Sequence, residues 1–256
     1  MEALLVQKVF VFAMVLTRIT TFFLVVPIFG ADSIPATLKI AATILLSIFF
    51  SIINPQAAAL GISGAEQASA IQAILLLGGE AAYGLALGAI ANIIFSAVKL
   101  AGSIMEDQMG LSMAEIIDPM SEERGTPLAS LLEIIFILAF LAANGHHLLI
   151  KVIQRSYELF PAGKIPTMAT LAGNMLEATS VMLVAGLRLA APILAALLVL
   201  LVALAILSRI VPEMDIFFIS FPLRILLAFI IVVALVPFIN EFVGETAKLM
   251  AKILPL

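Results

Sequence analysis

Residues 175–207 read MLEATSVMLVAGLRLAAPILAALLVLLVALAIL. The run is 33 residues long, rich in Leu, Ile and Ala, and shows no alternation of period two. A helix of about 20 apolar residues crosses a bilayer core. Lipid offers no partner to unpaired backbone groups, so a run of this kind is read as a helix. Working outward, five further apolar segments appear at about 9–29, 34–53, 68–98, 128–150 and 223–243. Turn-rich or polar breaks separate them: 30–33, Asn54-Pro55-Gln56, 99–127, 151–174 with Pro161, Gly163 and Pro166, and 208–222. The expectation is an all-α, multi-pass integral membrane protein of about six long apolar segments.

Composition excludes the other classes. Apolar residues make up 63% of the chain and charged residues 12%, against roughly 45–50% and 25% for a soluble domain. The mean hydropathy is +1.23. Thirteen Lys and Arg against 17 Asp and Glu leave a net charge of −4, with no basic stripe to follow a nucleic-acid backbone. The absence of Cys removes disulfides, thiolate metal sites and thiol catalysis. Glu2 and Lys8 give no strongly basic start, and no Ala-x-Ala-like cleavage site follows Val25, so the first apolar segment is expected to be retained.

Arg18, Glu80, Glu133 and Arg188 lie well inside apolar segments. A charge at bilayer depth costs about 2.5–3.5 kcal/mol even on lenient scales, so these groups should face protein or water. They are expected to pair within the protein, two cations with two anions, unless they snorkel from near helix ends. The third and fifth segments, 31 and 33 residues long, extend roughly 45–50 Å at 1.5 Å per residue, beyond a core of about 30 Å. Pro192 should break or kink the fifth, letting it fold as a hairpin or bent rod. Gly84 and Gly88 make a small-xxx-small face for close helix contact. Lys and Arg divide six against five between alternate sides of the membrane, which sets no orientation. A chain positioned by assembly with partners tolerates such a tie.

Enzyme signatures are missing: no HExxH, GxSxG, P-loop or GxGxxG appears. Adjacent helical positions diverge by about 100°, so His146-His147 does not read as a shared metal site. No catalytic, cofactor-binding or metal-ligating residue is expected. The unusual stretch is 99–127, KLAGSIMEDQMGLSMAEIIDPMSEERGTP. It is longer than an ordinary helix connection. Met105, Met109 and Met113 recur at i, i+4 and i+8, one helical face. Four of the eleven Met fall within 105–120, where an even spread would place about one, so the bias calls for a reason. An amphipathic core helix accounts for the stripe alone. In a long internal loop, a soft and adaptable segment also reads as a plug or lid, with Asp118-Pro119 ending its helical part.

Residues 102–119, GSIMEDQMGLSMAEIIDP, resemble the best-known stretch of the FliR family, the flagellar type III export-gate subunits. The likeness continues through Asn144-Gly145-His146-His147, Phe160-Pro161 with Pro166, Pro212-Glu213-Met214-Asp215-Ile216-Phe217 and Phe221-Pro222-Leu223-Arg224. Arg18, Pro27, Pro35 and Lys39 also sit as that family places them. Acidic Glu213 and Asp215 depart from the expected Gln and Asn. The resemblance spans residues 1–256 in one order, as a single membrane domain.

What the resemblance implies goes beyond composition. One such subunit joins several copies of each of two smaller export-gate membrane subunits, in a right-handed helical assembly of bent helical hairpins. The flagellar export switch protein and export apparatus, unfolded protein substrates and the lipid membrane are its further partners. Its place is the bacterial inner membrane, at the flagellar basal body. The loop at about 99–127 plugs the channel, which maps the plug onto Met105, Met109, Gly110, Met113, Asp118 and Pro119. The injectisome counterparts of virulence secretion share this outline and stand as an alternative. A secondary transporter would also explain Pro-interrupted segments with internal charge, but the two halves show no repeat.

Overall fold

Apolar runs without alternation pair their backbone groups internally, and the result is helix throughout. The computed structural model describes residues 2–30, 35–53, 70–111, 127–211 and 216–254. Among these residues the elements are α1 (Glu2–Val25), α2 (Pro27–Gly30), α3 (Ala36–Ile53), α4 (Ala70–Met109), α5 (Pro127–Ala142), α6 (Gly145–Leu159), α7 (Met168–Ile210) and α8 (Ile216–Ile253). No strand occurs among them. Pro27 has no N–H to continue the α1 ladder, so that helix ends at Val25 and a single turn follows.

Among the described residues four helices are long and apolar enough to cross a membrane: α1 over Lys8–Val25, α4, α7, and α8 over Phe218–Ile239. The α5–α6 pair, bent by 75°, makes a fifth when taken as one broken span. The expected count of about six is therefore reduced. The apolar part of α3 covers only Ala36–Ile52, about 26 Å at 1.5 Å per residue. Segment 128–150 is interrupted at Asn144, whose φ of 59° and ψ of 27° place it in the left-handed region between α5 and α6. The Asn-Gly pair at 144–145 is a turn signal that marks this break.

Three helices exceed their sequence readings, α4, α7 and α8, the last running for 38 residues. α4 runs for 40 residues and α7 for 43, roughly 60 and 65 Å. α4 absorbs residues 99–109 of the polar stretch, which is therefore not wholly a loop. α7 passes through Pro192 as one continuous helix, which sets aside the hairpin of the two expected outcomes, hairpin or bent rod. One missing N–H and its clash cost about 3 kcal/mol. A full break in an apolar setting would strand several backbone groups at several kcal/mol each. α8 carries Pro222 and Pro237 in the same way.

Backbone packing divides the chain into two units. The first comprises Met1–Ile94, Asn144–Thr179 and Ala247–Leu256. Here α1 packs on α3 and α4 presses on α1. A Cβ at Gly84 would collide with the Thr21 hydroxyl and the Arg18 carbonyl, and one at Gly88 would lie 2.9 Å from the Phe22 carbonyl. The small-xxx-small face is thus spent inside the chain. Met14, Ile19, Phe22, Leu87, Ile90 and Leu149 fill this core.

The second unit comprises Phe95–Ala143 and Ser180–Thr246. Phe95 meets Phe136 and Phe140 edge-on, with ring centroids 5.6 and 4.9 Å apart, and Phe242 lies 5.9 Å from Phe136. Gly102 lets α4 approach α5 at Ala129, and Gly186 of α7 sits against Leu100. Over its apolar stretch α4 buries 56% of positions, against 22% for α7 and 17% for α8. The outward faces of α7 and α8, with Leu198, Val199, Ile206, Ile230 and Val233, therefore remain apolar and uncovered by this chain.

Candidate functional site

The most polar buried point of the first unit is built around Arg18. Its side chain is 1% exposed and that of Glu80 0%. Arg18 Nε donates to Glu80 Oε2 at 2.6 Å and Nη2 to Oε1 at 3.0 Å, a two-pronged pair. Pro161 halts α6, so the last carbonyls of that helix have no helical N–H to accept. Arg18 Nη1 fills the gap at the Phe160 carbonyl, donating to it at 2.9 Å, and also donates at 3.3 Å to the Ser156 carbonyl, which already accepts the Phe160 N–H. A cation at a helix C-terminus is also favoured by the aligned peptide dipoles. Gly163, free to take a φ of +87°, donates its N–H to Glu80 Oε1 at 2.6 Å.

Two aromatic faces complete the enclosure. The Arg18 guanidinium carbon lies 4.7 Å from the Tyr83 ring centroid and 4.2 Å from that of Tyr157. Desolvated contacts of this kind contribute about 2 kcal/mol. Tyr157 donates its hydroxyl to the Val15 carbonyl at 3.1 Å. The cluster thus ties α1, α4, the end of α6 and the turn at 160–163 into one unit. Replacing Tyr157 by Phe keeps the ring over Arg18 but removes the second bond to the Val15 carbonyl, which keeps its helical partner, and should cost about 1 kcal/mol. A denaturation midpoint for Tyr157→Phe close to that of Tyr157→Ala would contradict this division between ring and hydroxyl.

The other two internal charges are placed differently. Glu133 sits 3.7 Å from Lys99 and is 30% exposed. Arg188 lies 3.6 Å from Glu245 and is 70% exposed. Both were expected to be buried with Arg18 and Glu80. Instead Glu133 is half-buried and Arg188 exposed, and each takes a partner from outside that set of four.

Met105 and Met109 are 1% and 0% exposed in the last two turns of α4. Met105 lines a small apolar space with Leu132, Phe136 and Val232, so its role in this chain is core packing. Gly110, at φ +83°, then stops the helix. Its N–H donates to the Asp107 carbonyl at 3.1 Å and that of Leu111 to the Glu106 carbonyl at 3.3 Å, the pair of bonds that defines a Schellman stop. α4 itself therefore carries the first two members of the three-Met stripe. Met113, Asp118 and Pro119 lie outside the described residues, as do Pro212, Glu213, Met214 and Asp215. The His146 and His147 rings lie side by side, centroids 4.2 Å apart, closer than their divergent backbone positions imply. Among the described residues no group of three or more His, Cys, Asp or Glu is arranged to hold a metal ion.

Long apolar helices, a buried ion-paired staple and an uncovered apolar outer surface define a multi-pass membrane protein. The chain belongs to the bacterial export proteins, family 1, whose model matches residues 9–250. It is similar to the flagellar biosynthetic protein FliR of Escherichia coli strain K12, with 31% identity over 227 residues, covering 89% of this chain and 84% of that one. Against the FliR of Bacillus subtilis strain 168 the identity is 30% over 227 residues, with 87% and 84% covered. The Yop proteins translocation protein T of Yersinia pestis is 28% identical over 170 residues, 65% of each chain.

Proposed function

We propose that this chain is a membrane subunit of the type III protein export gate of the bacterial flagellum, seated in the inner membrane at the basal body. The observation that carries the reading is the end-to-end family match, residues 9–250, in a chain whose α7 and α8 leave their apolar faces for something else to cover. Two smaller membrane subunits in several copies, the export switch protein and unfolded flagellar substrates are the partners in this reading. The flagellar assignment is favoured over an injectisome one because the FliR relatives are matched over 84% of their length and the Yersinia protein over 65%.

In the same reading, residues 99–127 close the channel. The buried Met105 and Met109 anchor the base of this closure in the second unit, and the Schellman stop at Gly110 releases the chain from the helix axis. A seal for unfolded chains has to exclude ions yet yield to many side chains, and flexible thioethers such as Met113 repack without stranding polar atoms. Deleting residues 112–118 spares the buried Met105 and Met109. The complex should still assemble, while ion conductance across the inner membrane rises well above the wild-type level. An assembled deletion variant that stays ion-tight and exports normally would refute the plug.

A further inference from the structure

In the second unit, Arg188 and Pro192 of α7 face Glu241 and Glu245 of α8 across an open cleft of about 250 Å³. We propose that this cleft receives a Lys or Arg side chain carried on an apolar membrane helix of another protein chain. The inference rests on the reading of this chain as one subunit of a hetero-oligomeric apparatus, and adds a specific docking point to it.

The cleft is poor in donors. Its two carboxylates face one guanidinium, and the Arg188–Glu245 approach of 3.6 Å is loose, with the side chains 70% and 50% exposed. No ion pair engages Glu241 among the described residues. Pro192, four residues after Arg188 in an unbroken helix, has no N–H to give the Arg188 carbonyl, which adds a further acceptor at the same turn. An arriving ammonium or guanidinium supplies the missing donors and balances the excess negative charge.

The surroundings favour a helix as the bearer. Leu235, Phe238 and Phe242 wall the cleft with apolar surface, and Phe238 is 60% exposed. Gly244, three residues from Glu241 and so on the same helical face, has nothing within 4 Å of where a Cβ would stand. A small residue in that position lets a second helix backbone come close. Residues 189–207 and 225–240 carry no charge, so the cleft closes one end of a charge-free apolar band. A basic residue at the end of an apolar span fits there.

The chain has no Cys, so Glu241→Cys gives a unique attachment point for a photo-crosslinker in the full chain within its native membrane. The adduct should map to another protein, within one helical turn of a Lys or Arg in an apolar segment. Glu241→Lys should reduce recovery of the assembled complex several-fold, and reversing the mapped basic residue to Glu should restore it. An adduct to a second copy of this chain, an adduct to lipid alone, or full recovery of the Glu241→Lys complex would each overturn the proposal. Co-purification of wild-type chain with other membrane subunits is scored separately. Its failure would remove the subunit reading itself, whereas an indifferent Glu241→Lys in an intact complex removes only this docking point.

Discussion

Replacing Glu80 by Gln should destabilise the first unit by about 3–5 kcal/mol, the usual cost of stripping one partner from a buried ion pair. Arg18 would remain 1% exposed between two tyrosine rings, with no anion to balance it. The Gly163 N–H would keep an acceptor in the amide oxygen, so the loss is chiefly that of charge. Arg18→Met should cost a similar amount, because it leaves Glu80 charged and the Phe160 carbonyl without its donor. The double variant Arg18→Met, Glu80→Leu removes both charges and should be no less stable than either single variant. Unfolding of the purified protein in detergent measures all three. Single variants that unfold with the wild type would mean that water reaches the pair and relieves it.

Gly84→Val is the second large effect. A Cβ there would collide with the Arg18 carbonyl and the Thr21 hydroxyl. The first is backbone and yields only if α1 moves. Overpacking costs about 1–3 kcal/mol where side chains can adjust, and this contact should fall at or above the top of that range. Moving α1 also shifts Arg18 away from Glu80, so the two perturbations are coupled. Gly78→Ala and Gly173→Ala are the controls, since nothing lies within 4 Å of the added Cβ. Each should be neutral or stabilising by up to about 1 kcal/mol through helix propensity. Equal behaviour of Gly84→Ala and Gly78→Ala would contradict the close packing of α1 on α4.

These residues also show how far the amino-acid order alone carries. Helical class and membrane residence follow from composition and run length, because lipid permits few backbone solutions. That Arg18 and Glu80 need partners follows from the same physics. That they choose each other does not, since they lie 62 positions apart and helix packing decides who meets. Glu133 and Arg188 look equivalent in sequence, yet one is half-buried beside Lys99 and the other exposed beside Glu245. The signal that separates the two cases is the small-residue spacing at Gly84 and Gly88, which brings α1 against α4 and leaves no room for water. Pro192 leaves a break and a kink equally open in sequence, and the helix continues through it because one lost hydrogen bond is small beside the ladder on either side. Gly110 is a stop for α4 that the stripe reading passed over, although a Gly just past the last turn is a common helix end. The closing role proposed for residues 99–127 rests on the resemblance and on the length and Met content of the stretch, whereas Met105 and Met109 themselves are core residues by burial.

The central claim is that this chain works as one member of a hetero-oligomeric export gate. Its most direct test is the subunit composition of the complex recovered when the tagged chain is extracted gently from its own membrane, read by native mass spectrometry. The account predicts a single assembly holding this chain together with several copies of smaller apolar membrane proteins, which cover the outward faces of α7 and α8. A stable, monodisperse monomer, with those faces covered by detergent alone and export activity intact on reconstitution, would contradict it.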